Sequence, residues 1–302
     1  MKRRKRRAPA SLQLGAVSRC ASGQRGTGPA LPRKSTPRNT GTGFPFAALR
    51  AFAVVILAST VGFCASAQVA PASSAVTRAE KLFEAARARH QSAPTNSEAA
   101  WKFGQACFDW ADLSPNNRQR EQIANEGIAA CRQLVVREPK SVPGNYYLGM
   151  NLAQLARTKS LGALKIVREM ESEFQLVLSL DSHFDFAGAD RNLGLLYRDC
   201  PGWPASIGSR KKAAQNLQHA VELAPEYPEN RLNLAESQLE WGEKKNAAEE
   251  LKKIEAQLSE ARRKFSGEQW ESSWSDWDSR IQKLRVKLGQ PAPSAGSPHG
   301  KK

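Results

Sequence analysis

Acidic residues are missing from the start of this 302-residue chain. None precedes Glu80, while twelve of the 45 lysines and arginines lie in residues 1–50. Residues 1–45 carry Arg, Gly, Pro, Ser and Thr without apolar periodicity. Such a segment buries too little to order itself and is expected to be disordered. The net charge of +16 first suggests a nucleic-acid partner, and the Lys2–Arg7 cluster alone could be a nuclear or RNA-binding arm. Without residues 1–67 the balance is 33 basic against 29 acidic side chains, or +4. That is an ordinary solvated surface, so no nucleic-acid partner is expected of the folded part.

Long apolar runs are also scarce. The run Ala51–Ala65 is short for a membrane span. Arg50 precedes it, and Ala65-Ser66-Ala67 closes it in the small-x-small pattern of a processing site. A basic region, a short apolar core and a cleavage site together describe a secretory signal. Cleavage near Ala67 is the expectation, and it places the mature chain in the periplasm or cell envelope. An uncleaved anchor and lipidation at Cys64 are the alternatives, the second opposed by the bulk of Phe63. On this reading, membrane association runs only through the N-terminal segment.

Histidines are few and scattered: His90, His183, His219 and His299 show no metal-ligand spacing. GQRGTG at Gly23–Gly28 lies in the basic leader with no strand before it, so it cannot cradle a phosphate. Ser209–Lys212 matches S-x-x-K, but the companion S-D-N and K-T-G elements are missing. A helix N-cap explains Ser209 better. No catalytic residue, cofactor or metal is expected, and neither is an enzyme.

What the chain does have is a repeat. Asp190–Gly242 sets Leu193, Gly194 and Tyr197 on one helix, and Ala213, Leu217, Ala220 and Pro225 on the next. Leu234 and Ala235 restart the first pattern, and Ala247, Leu251 and Ile254 the second. Ala213 to Ala247 is 34 residues. Small residues at Gly194, Ala213 and Ala220 let two antiparallel helices approach, Leu193, Tyr197 and Leu217 fill the space between them, and Pro225 stops the second helix. Pro139–Leu152 aligns without a gap on Pro225–Gln238, 86 residues later. That offset is two units of about 43, with the extra residues in turns at Arg157–Leu164 and Cys200–Ser209. Trp101, Phe103, Gly104 and Cys107, with Gly127, Cys131, Leu134 and Pro139, form the first hairpin, and Pro228–Lys264 the fourth. Val76–Gln91 precedes them as an amphipathic lead-in helix. Ser266–Gly289 follows as one helix whose Trp270, Trp274, Trp277, Ile281, Leu284 and Leu288 share a face. A capping helix explains that stripe better than an aromatic ligand strip, because one open hairpin face must be closed.

This spacing resembles the tetratricopeptide (TPR) family. The resemblance implies an all-α, right-handed α-solenoid of about four TPR-like hairpins with a C-terminal capping helix. The expected organisation is leader and signal over 1–67, linker over 68–75, helical repeats over 76–289 and a disordered tail over 290–302. In this repeat the Cys107 and Cys131 positions face each other across a hairpin. A disulfide in an oxidising compartment and two buried thiols are both open. Cys200 is left unpaired.

Asp190-Arg191, Leu193-Gly194, Pro201-Gly202-Trp203-Pro204, Gly208-Ser209-Arg210 and the helix Ala213–Pro225 more narrowly resemble the T component of TRAP transporters. That resemblance implies a periplasmic scaffold docking a solute-binding protein, with a small apolar ligand passed through a central pore. A general envelope scaffold for assembly or secretion is the alternative. Tyr197, Arg198, Asp199, Trp203 and Pro204 are the candidate partner or ligand cleft, since a large aromatic on a loop is a common anchor. The bland alternative is that Trp203 plugs the top of its own hairpin.

Overall fold

The computed structural model describes residues 74–159 and 163–290. The leader, the signal with Cys64, the linker up to Ser73 and the tail beyond Gln290 lie outside them. Ten α-helices follow one another: α1 (Ser74–Ser92), α2 (Ser97–Asp112), α3 (Asn117–Arg137), α4 (Val142–Ala156), α5 (Ala163–Leu180), α6 (Gly188–Asp199), α7 (Arg210–Leu223), α8 (Pro228–Glu240), α9 (Lys244–Lys264) and α10 (Glu271–Leu288). No strand occurs among the described residues, and no helix there is long and apolar enough to cross a membrane. Helix α1 begins two residues inside the expected linker.

Four antiparallel hairpins, α2/α3, α4/α5, α6/α7 and α8/α9, stack in sequence, with α1 against α2 and α10 against α8 and α9. Short polar caps start several of the helices. Asn96 Oδ1 accepts from the Ala99 amide at 2.8 Å, Asn116 Oδ1 from the Gln119 amide at 2.9 Å, and Ser209 Oγ from the Lys212 amide at 3.3 Å. Each satisfies a first-turn N–H that has no partner within the helix. Pro143 and Pro228 sit in the first turns of α4 and α8, where a missing N–H costs nothing.

The small-residue positions are the closest approaches. A Cβ at Gly194 would stand 2.6 Å from Leu217 Cγ, and one at Gly149 2.8 Å from the Phe174 ring. The first helices α4, α6 and α8 are buried around most of their circumference. The array also meets itself end to end: Arg78 of α1 pairs with Glu271 at the start of α10 at 3.2 Å.

The final helix differs from expectation. Gly267 holds φ +98°, and a single 3-10 turn over Glu268–Trp270 precedes α10. The break turns Trp270 into the core against Phe265 (ring centroids 4.8 Å), while the Trp274 indole N–H donates to the Phe265 carbonyl at 2.7 Å. The capping role stands. Trp270, Trp277, Ile281 and Leu284 are buried against Tyr227, Phe265 and Ile254, and Arg280 reaches across to Glu236 at 2.7 Å. Gly289, at φ +69°, ends α10, a conformation that costs a residue with a Cβ more than it costs glycine.

Cys107 and Cys131 are free, buried thiols. Cys131 Sγ fills the space beneath Gly104, where a Cβ would come within 2.3 Å of it. Cys107 packs instead with Phe83, Phe103 and Trp110 between α1, α2 and α3. Burial pushes the Cys131 thiol up to about 12, which keeps it protonated and inert.

Candidate functional site

Of the residues singled out around the α6/α7 insert, the structure divides two from three. Tyr197, Arg198 and Asp199 end α6 and are tied into the fold. The Tyr197 hydroxyl donates to Glu171 Oε1 of α5 at 2.6 Å and accepts from Gln175 Nε2 at 3.2 Å, with the Lys212 ammonium over its ring. Burial, and then the bond to Glu171, push its phenol up to about 12. Arg198 pairs with Asp199 at 2.5 Å and donates to Ser237 Oγ of the next hairpin at 3.1 Å. These three are supports rather than cleft walls.

Trp203 and Pro204 are exposed, Trp203 to 89 %. It does not plug its hairpin. The loop beneath it closes on itself. The Ser209 amide donates to the Tyr197 carbonyl at 2.9 Å, the Gly208 amide to the Pro201 carbonyl at 2.9 Å, and the Ala205 amide to the Gly202 carbonyl at 3.0 Å. Gly208 is required by space, since a Cβ there would lie 2.0 Å from the Cys200 carbonyl oxygen. Cys200 turns inward, and burial pushes its thiol up to about 11. The insert is thus a locked loop presenting one indole to solvent.

A second cluster lies behind the start of α6. Asp185, Phe186 and Ala187 take φ of +52°, +56° and +60° in succession, a left-handed run that is costly for residues with a Cβ. Arg191, 3 % exposed, holds it: Nη2 bonds the Asp185 carboxylate at 2.9 Å, and Nη1 bonds the Phe186 carbonyl at 3.1 Å and Asn230 Oδ1 at 3.0 Å. Tyr146 of α4 donates to the same carboxylate at 2.6 Å. Asn230 Nδ2 donates to the Phe186, Ala220 and Ala224 carbonyls. Burial works against the Arg191 charge, but the surrounding Tyr146 and Asp185 oxygens outweigh it and raise the guanidinium's pKa. One cation therefore joins the second, third and fourth hairpins. Asp190-Arg191 stood out in the sequence, but its partner Asp185 did not, because only the tertiary turn brings them together.

Glu173 of α5 is a third feature that sequence reading missed. Its Oε2 is buried without a hydrogen bond. Burial, and secondarily the charge of Glu169, raise it from 4.5 to about 7, against the attraction of Arg132. The raised value means the folded chain holds a proton that the unfolded chain has lost. The stabilisation is complete below about 4.5 and disappears as pH rises through about 7. Glu173→Gln should flatten that fall. Thermal melts at pH 4.5 and pH 8 should show the variant equal to wild type at the first and more stable at the second.

No family model matches the chain, and no curated protein matches it. Among solved structures it is similar to a thermophilic TPR protein of Thermus thermophilus. The two share 19 % identity over 70 % of this chain and 93 % of that one, with a TM-score of 0.50. MamA is similar at 16 % identity over 62 % and 92 %, with a TM-score of 0.44. The first likeness shows a tetratricopeptide-like fold.

Proposed function

We propose that this chain is an exported, non-enzymatic helical-repeat scaffold that docks a protein through the Cys200–Ser209 loop. The observation that carries this is Trp203: a large aromatic, 89 % exposed, on a loop whose backbone is already locked. A rigid aromatic anchor loses little conformational freedom on binding, and residues of this type dominate interface energetics. Stacked hairpins supply the stiff frame. More narrowly, the loop's motif supports a T component of a TRAP transporter. In that reading the partner is a solute-binding protein, and a small apolar ligand is handed on.

Trp203→Ala should leave the melting temperature within about 1 °C, because the side chain has little to lose on the surface. It should weaken partner affinity by roughly thirtyfold, the size of a hot-spot residue. A photo-crosslinker at position 203, used in the native envelope, should capture a solute-binding protein. Capture of an assembly or secretion factor would favour the general envelope scaffold. N-terminal sequencing should find the mature chain beginning near Gln68.

A further inference from the structure

Five cations open the two helices next to the Trp203 loop. The exposed residues Arg210, Lys211 and Lys212 open α7 directly after the loop. The pair between Arg210 and Glu243 draws the start of α9 alongside, bringing the exposed Lys244 and Lys245. Neither α7 nor α9 has an acidic residue in its first turn. Carboxylates are favoured there by the aligned peptide dipoles, and cations are not. Nearby acids pair with two of the five cations, Arg210 and Lys212, and leave three without an ion pair. Asp199 is held by Arg198, which the exposed Glu240 also approaches at 3.8 Å; Glu171 accepts from Tyr197 and pairs with Lys212 at 3.8 Å; and Glu243 is shared between Arg210 and Asn246. Lys211, Lys244 and Lys245 form no ion pair among the described residues.

We infer that the indole and these five cations form one docking surface, and that its occupant is an acidic protein face: a pocket that takes Trp203 within a rim of aspartates and glutamates. This rests on the docking reading above and adds the chemistry of the partner. A protein fits better than a nucleic acid, because a single indole offers no ladder of stacking platforms. It fits better than a membrane, because one exposed indole is little apolar surface to insert among lipids. Opposite charges around an anchor chiefly raise the association rate and make it salt-dependent, while the anchor sets the lifetime of the complex.

The test uses the full exported chain and the solute-binding protein crosslinked at position 203, with association and dissociation followed by surface plasmon resonance at low and at high NaCl. The triple variant Lys211→Glu, Lys244→Glu, Lys245→Glu should slow association on the order of tenfold or more at low salt. It should also lose most of the salt dependence, while the Lys→Arg triple keeps both. Trp203→Ala should act on dissociation instead. If Trp203→Ala weakens the complex but charge reversal and salt leave it unchanged, the acidic face is wrong and the docking loop survives. If the wild-type chain does not bind that protein at all, both readings fall. Salt-dependent capture by phosphatidylglycerol vesicles, lost in the same variants and absent with phosphatidylcholine, would assign the surface to a membrane and overturn the inference.

Discussion

Arg191→Ala is expected to lower stability by about 3–5 kcal/mol, the range for removing one partner of a buried ion pair. In an array of this size that is about 10 °C of melting temperature. Three losses coincide. The Asp185 carboxylate stays buried without its guanidinium, the Asp185 carbonyl loses the guanidinium bond and the Phe186 carbonyl keeps only the Asn230 amide, and the left-handed run loses its brace. Because Tyr146, Arg191 and Asn230 come from three different first helices, the damage should spread. Hydrogen exchange should rise in α4, α6 and α8 together. Asp185→Asn placed in the Arg191→Ala background should recover part of the loss, because it removes the stranded charge, and the two changes should be clearly non-additive. A loss under about 1 kcal/mol for Arg191→Ala would mean that the cluster is decoration.

Trp277→Ala should cost a similar amount, about 3–5 kcal/mol, for a different reason. Its side chain has no exposed surface and meets Tyr227 edge-on at 5.4 Å and Trp274 at 4.9 Å, with Phe265 and Trp270 at 6.2 and 6.0 Å. Deleting it opens a cavity that these stiff rings cannot collapse to fill. The consequence should stay local, since each unit of a stacked array leans mainly on its neighbours. Exchange should quicken in α8, α9 and α10 while α2 and α3 keep their protection. Uniform loss of protection from α1 to α10 would contradict this picture. It would also point to the Arg78–Glu271 contact as a stronger closure than an exposed pair normally provides.

The two substitutions divide the fold along the line of what could be read in advance. Gly194, Ala213 and the Trp270–Leu288 stripe were legible because helix pairing needs a small residue opposite a large one at fixed spacing, and spacing is a sequence property. The same holds for the turn prolines and the Ser209 cap. The break at Gly267 was not legible. A glycine preceded by Phe265 and followed by Trp270 fits both a continuous helix and a kinked one. Only the fit of Trp270 against Phe265 and Tyr227 chooses between them. The candidate site was legible as a place and not as a geometry. Trp203 between Gly202 and Pro204 marked the loop, but Tyr197, Arg198 and Asp199 proved to be its fastenings.

By itself, the sequence determined the number and pairing of the helices, because those follow from apolar period, caps and breakers acting over a few residues at a time. The tertiary structure alone decided which charges are stranded and which are matched. Arg191 meets Asp185 and Asn230, Glu173 is left with a proton to keep, Cys131 fills the space under Gly104 rather than bridging, and Arg210 meets Glu243 across two hairpins. Each depends on the local dielectric and on distances between groups far apart along the chain, and those exist only once the hairpins have stacked.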